Sequence, residues 1–209
     1  MENKGCCAVP SDNSCSTGKK CCFGTIIKGA FIGAIVMFIY FAASWMYLPW
    51  HKTTMMSFAN EGIVASILAN NAPQSGIYTL PGMPVNAAAK PEMTKPFAFV
   101  SVFTNGIDMK NMSPVPCMVK AFLMYLFGAA LLTKLLKKIS YSCCPMFGSF
   151  VIGVLVATFS YVPNMIWFHF PVAYSLVGMG DTIVAITLAG IAISCCLFKK
   201  GACNDKKAA

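Results

Sequence analysis

Four apolar stretches, each of spanning length, constrain this chain more than any other feature: residues 25–48, 115–136, 144–167 and 172–198. A helix needs about 20 residues to cross a hydrocarbon core of roughly 30 Å, and each stretch meets that length. The sequence is 57% hydrophobic and only 11% charged, whereas soluble domains are about 25% charged. A soluble fold of this size has too little interior to hide so much apolar surface, so the bilayer is the expected solvent. The expected fold class is therefore an all-α integral membrane protein. It is a four-transmembrane-helix bundle with a small α+β insertion between the first and second helices.

The first apolar run is an anchor by this reading. Residues 1–22 are polar and carry five cysteines, and the run that follows is too long for the core of a cleaved secretory signal.

Lysines set the expected orientation. Lys19 and Lys20 precede the first stretch, Lys134, Lys137 and Lys138 close the second, and Lys199, Lys200, Lys206 and Lys207 follow the fourth. The turn around His169 has none. Short cytoplasmic segments collect Lys and Arg, which predicts both termini and the 137–143 turn in the cytoplasm. Residues 49–114 then lie outside, and long loops translocate largely regardless of their charge. Trp45, Tyr47 and Trp50 at one stretch end, and Tyr161, Trp167 and His169 at another, fit the aromatic belt on that outer side. A formal charge of +9 raises the question of nucleic acid. The lysines gather at the ends of apolar stretches, as topology requires, so no nucleic acid is expected.

The outer loop reads as a helix over 53–70, capped by Thr53 or Thr54, with Phe58, Ile63, Ile67 and Leu68 as its apolar stripe. Asn70-Asn71-Ala72-Pro73 stops it. Strands are expected over 75–80 and 96–104, with Pro81, Pro84, Pro91 and Pro96 punctuating the stretch between.

The eleven cysteines are unevenly placed. Cys6, Cys7, Cys15, Cys21, Cys22, Cys143, Cys144, Cys195, Cys196 and Cys203 fall on the expected cytoplasmic side, and Cys117 lies near the outer one. A reducing compartment keeps thiols free, so this is no disulfide framework. Three uses compete for the vicinal pairs: apolar packing at helix ends, S-acylation, or a soft metal such as copper or zinc. Cys143, Cys144, Cys195 and Cys196 are the candidate metal ligands.

Asp181 lies inside the fourth stretch. An acid there is expensive in lipid and usually faces the bundle interior or a water path. Lys120 and Asn164 are the candidate partners within the membrane, although Lys28 and Lys120 also sit where long side chains snorkel to an interface. His51 and His169 with Glu61 form a weaker candidate metal set, because they lack a ligand spacing. Gly29 and Gly33 are spaced for close helix approach, and Gly128, Gly148, Gly153, Gly178 and Gly190 are further candidates. No P-loop, G-x-S-x-G, H-E-x-x-H or dinucleotide fingerprint is present, so no enzyme is expected.

Four spans with a large first outer loop have the topology of claudins and tetraspanins. The loop cysteines of those families have no counterpart in 49–114. The segments Ser44-Trp45-Met46-Tyr47-Leu48-Pro49-Trp50-His51, Phe58-Ala59-Asn60-Glu61 and Asn71-Ala72-Pro73-Gln74-Ser75-Gly76-Ile77-Tyr78 resemble a group of uncharacterised bacterial inner-membrane proteins. That resemblance implies a location and no activity. The vicinal cysteines are similar to those of mercuric-ion transporters only by analogy.

Two functions are thus expected. The first is a non-enzymatic interaction or structural membrane protein, with the bilayer and a protein at the outer loop as partners and association with further copies allowed. The second is a small carrier of a soft metal or a proton, using the cysteine pairs and Asp181.

Overall fold

The computed structural model describes residues 18–82, 96–106, 113–139 and 145–197, with side chains from Phe23 onward. The elements in chain order are α1 (Gly18–Tyr47), α2 (Trp50–Thr54), α3 (Glu61–Asn71), β1 (Gly76–Leu80), β2 (Ala98–Val102), α4 (Val115–Ile139), α5 (Pro145–Phe168) and α6 (Val172–Leu197). Helices α1, α4, α5 and α6 are long and apolar enough to cross a membrane. Their bounds lie close to the four stretches read from the sequence, because a spanning helix is marked by sustained hydropathy rather than by subtle periodicity. The chain divides into two units, Met1–Thr54 with Val115–Ala209, and Met55–Pro114.

In the first unit, α6 packs between α5 and α1, and α1 packs between α6 and α4. The core is made of small and medium side chains: Ala34 and Met37 from α1, Ala129, Leu132 and Leu136 from α4, and Ala185, Ala189 and Ile193 from α6. Lipid tails are as apolar as leucine, so helices in a bilayer associate through close packing rather than through exclusion of water. The glycines show that mechanism at work. A Cβ at Gly29 would strike the Thr133 side chain, and one at Gly33 would lie 2.8 Å from Ala129 Cβ. On the other side, Gly153 lets α5 approach the backbone of Ile183, and Gly190 admits Ser149. Gly128, expected to do the same, faces open space. The hydroxyls in these seams are satisfied within their own helices: Thr133 donates to the Ala129 carbonyl at 2.7 Å and Ser149 to the Met146 carbonyl at 2.9 Å. Large apolar side chains point outward instead, as with Phe127 on α4, Phe159 on α5 and Leu176 on α6.

The expected single helix over 53–70 is instead two helices, α2 in the first unit and α3 in the second, separated by Met55–Asn60. The hydroxyls of Thr53 and Thr54 fold back onto the Trp50 carbonyl at 2.9 and 3.1 Å. Side-chain bonds of that kind compete with helix continuation. The real cap of α3 is Asn60, whose side chain accepts the Ile63 amide at 3.0 Å, with Glu61 in the first turn where the helix dipole favours an acid. The Ala72 amide bonds the Leu68 carbonyl at 2.9 Å to close the far end, just before Pro73. Strands β1 and β2 pair antiparallel, Gly76 opposite Val102 and Leu80 opposite Ala98. They are shorter at their ends than the runs expected from sequence. Ser75 and Thr104, expected inside the strands, instead bond each other beyond the ladder at 3.0 Å.

Candidate functional site

The site forms where α1 ends. Leu48 and Pro49 separate α1 from α2, and a proline without an amide proton suits such a break. The five residues of α2 fold back onto α6, which buries His51 to 6% exposure. Asp181, on α6, is 3% exposed.

These two residues meet directly. His51 Nε2 lies 2.8 Å from Asp181 Oδ2. Ser44 Oγ donates to the same oxygen at 2.8 Å, and Tyr40 donates to Asp181 Oδ1 at 3.0 Å. Trp50 Nε1 donates to Ser44 Oγ at 3.1 Å. Trp45 stacks on the His51 ring, with centroids 4.0 Å apart and planes 9° from parallel. A proton on His51 Nε2 completes this set, so the carboxylate receives three donors. The helical spacing explains how α1 contributes: Tyr40 and Ser44 are four residues apart and share one face. A buried carboxylate must be hydrogen-bonded to be tolerated, and this one is.

The residues Ser44, His51 and Asp181 include the types of a hydrolytic triad, but their order is wrong for one. A triad places the carboxylate on one imidazole nitrogen and the serine on the other. Here the same Nε2 faces both, since Ser44 Oγ is 3.1 Å from it. Ser44 is fully buried and gives its proton to the carboxylate. The arrangement therefore holds a charge and a proton; it does not activate a nucleophile.

A small cavity of about 50 Å³ adjoins the pair. Phe41, Trp45, Tyr161 and Tyr174 wall it, with His51 and Asp181 also lining it. Gly178 keeps it possible, because a Cβ there would collide with the Tyr161 ring. A second hollow of about 310 Å³ touches Asp181 and Tyr40 and is otherwise mostly apolar, with Leu176 and Val184 among its walls.

The expected partners of Asp181 are corrected by these contacts. Lys120 is exposed on the first turns of α4. Asn164 works at the end of α5, where its side chain donates to the Ser160 carbonyl at 3.0 Å and its carbonyl accepts the Phe170 amide at 3.2 Å. Neither is among the hydrogen-bond partners of Asp181, which are His51, Ser44 and Tyr40. Reading each apolar stretch separately does not pair His51 with Asp181, because only the reversal at Leu48-Pro49 carries it inward.

Of the four candidate metal ligands, Cys195 and Cys196 are free and exposed on the last turn of α6. Adjacent helical residues point about 100° apart, so these two thiols diverge. Cys143 and Cys144 lie outside the described residues, as do the cysteines at 6, 7, 15 and 203. Among the described residues, no group of three His, Cys, Asp or Glu side chains could hold a metal ion.

Compared with protein-family models, curated proteins and solved structures, the chain returns no match in any of the three.

Proposed function

We propose that this is a non-enzymatic multi-pass membrane protein that works through its outer unit, docking an apolar protein partner there. In this reading the membrane is the bacterial inner membrane, both termini are cytoplasmic and Met55–Pro114 is extracytoplasmic. The lysines at 19, 20, 134, 137, 138, 199 and 200 support the orientation, and the local resemblance over residues 44–78 supports the membrane.

The observation that carries the reading is the surface of the second unit. Helix α3 buries none of its residues. Ile63, Ile67, Ile77, Leu80, Phe97 and Phe103 are all largely exposed, and Met56 is 94% exposed. Apolar surface of that density marks an interaction site, and a two-stranded ribbon gains stability from something packed on it. The charge balance favours a protein over the lipid surface. Lys90, Lys95 and Lys110 are matched by Glu61, Glu92 and Asp108, whereas binding to anionic headgroups draws on an excess of lysine. The test is site-specific photocrosslinking from residue 67 in intact cells. A discrete adduct, lost when Ile63 and Phe103 become Ser, is expected; an unchanged crosslinking pattern in that variant would sink the reading.

The buried pair supports a second reading, a carrier in which His51 and Asp181 take up and release a proton. An ionisable pair inside a bundle is commonly part of an ion or proton path. Asp181→Asn should then abolish proton-linked flux in liposomes, and undiminished flux would remove the reading.

A further inference from the structure

We propose that the cavity beside His51 and Asp181 binds one small ammonium-class cation, ammonium itself or a primary ammonium of one carbon. This deepens the carrier reading by naming its ion, yet binding needs no transport. Binding without flux would remove the carrier reading and leave the site.

Charge comes first. Asp181 is the single acidic residue within α1, α4, α5 and α6, and the described partner that can neutralise it is His51. With His51 neutral the site carries one negative charge. An ionised carboxylate has about four acceptor positions, and Tyr40, Ser44 and His51 fill three of them. One acceptor position is left on a side chain that lines the cavity.

The walls suit a cation that donates hydrogen bonds. Phe41, Trp45, Tyr161 and Tyr174 present aromatic rings, and ring faces attract an ammonium group when water is excluded. Size then selects the class. A cavity of about 50 Å³ admits a few water-sized groups and is far below the roughly 150 Å³ that holds benzene. A divalent metal asks for more oxygen or imidazole ligands than converge here. An anion is repelled by Asp181.

The test uses the full-length protein in lipid nanodiscs, titrated with ammonium, methylammonium, potassium and tetramethylammonium chlorides. Calorimetry and tryptophan fluorescence give the affinities. Ammonium and methylammonium should bind saturably, potassium at least about tenfold more weakly, and tetramethylammonium not at all. Asp181→Asn should weaken ammonium binding by at least about tenfold. Trp45→Leu, which removes one aromatic wall of the cavity, should weaken it several-fold. The wild-type preference for ammonium over potassium needs no variant, so this reading stands even where Asp181→Asn fails to fold. No saturable ammonium binding, potassium binding as tight as ammonium, or an Asp181→Asn protein that binds normally would each overturn the proposal.

Discussion

His51 and Asp181 are 130 residues apart in sequence and 2.8 Å apart in space. Their contact ties the short helix after the first span to the last span of the bundle. It also makes the one intramembrane acid tolerable, since Ser44 and Tyr40 complete its hydrogen bonding.

Ser44 is the hub through which α1 joins this network, because it donates to Asp181 and accepts from Trp50. Ser44→Ala leaves the Trp50 indole without its acceptor and removes one donor from the carboxylate. The expected loss is about 1–3 kcal/mol, read as reduced stability to denaturant in detergent micelles. A loss below about 0.5 kcal/mol would mean that the network contributes little.

Helix seams should respond to glycine substitution by position. Gly33→Val places branched carbons where Ala129 and Ile193 already sit, and overpacking of this kind costs about 1–3 kcal/mol. Gly128→Ala, facing open space, should be neutral or slightly stabilising, because alanine is the better helix former by about 1 kcal/mol. Thermal unfolding of the two variants side by side checks this. Equal effects would contradict the packing described for α1.

How much of this could be read beforehand follows from the kind of signal each feature leaves. The four spans were legible because sustained hydropathy needs no knowledge of neighbours. Asp181 was legible as an interior residue because an acid in that context has few other places to point. Its partners were not. Lys120 and Asn164 lie within the apolar stretches themselves, whereas His51 sits past a helix end and returns through a two-residue reversal at Leu48-Pro49. The clue was the sequence Leu48-Pro49-Trp50-His51 itself, where a proline break is followed at once by a titratable ring. The break between α2 and α3 also left a mark. Asn60-Glu61 is a better cap and first turn than Thr53 or Thr54, but the apolar residues on both sides made the stretch look continuous.

Asn60 gives a local check of that corrected boundary. Asn60→Ala removes the acceptor for the Ile63 amide and should lower local stability by about 1 kcal/mol. Amide exchange should quicken in Glu61–Asn71 while Trp50–Thr54 is unaffected. Faster exchange running through both helices would indicate one continuous element.

The proposed orientation predicts a labelling pattern from the native thiols. A membrane-impermeant maleimide added to intact spheroplasts should reach Cys117, which is exposed at the start of α4. Cys195 and Cys196, exposed at the other end of the bundle's last helix, should react only after permeabilisation. The reverse order would invert the topology and put the second unit in the cytoplasm.

A double-mutant cycle on His51 and Asp181 tests the central contact most directly, using His51→Leu, Asp181→Leu and the double variant, with unfolding free energies measured in the same detergent. Residues that share a buried hydrogen bond couple by about 0.5 kcal/mol or more, up to about 3, and removing one partner alone strands the other in the bundle interior. The double variant should therefore be more stable than the sum of the single losses by at least that amount. Losses that add to within about 0.5 kcal/mol would show two independent sites and contradict the contact on which this account rests.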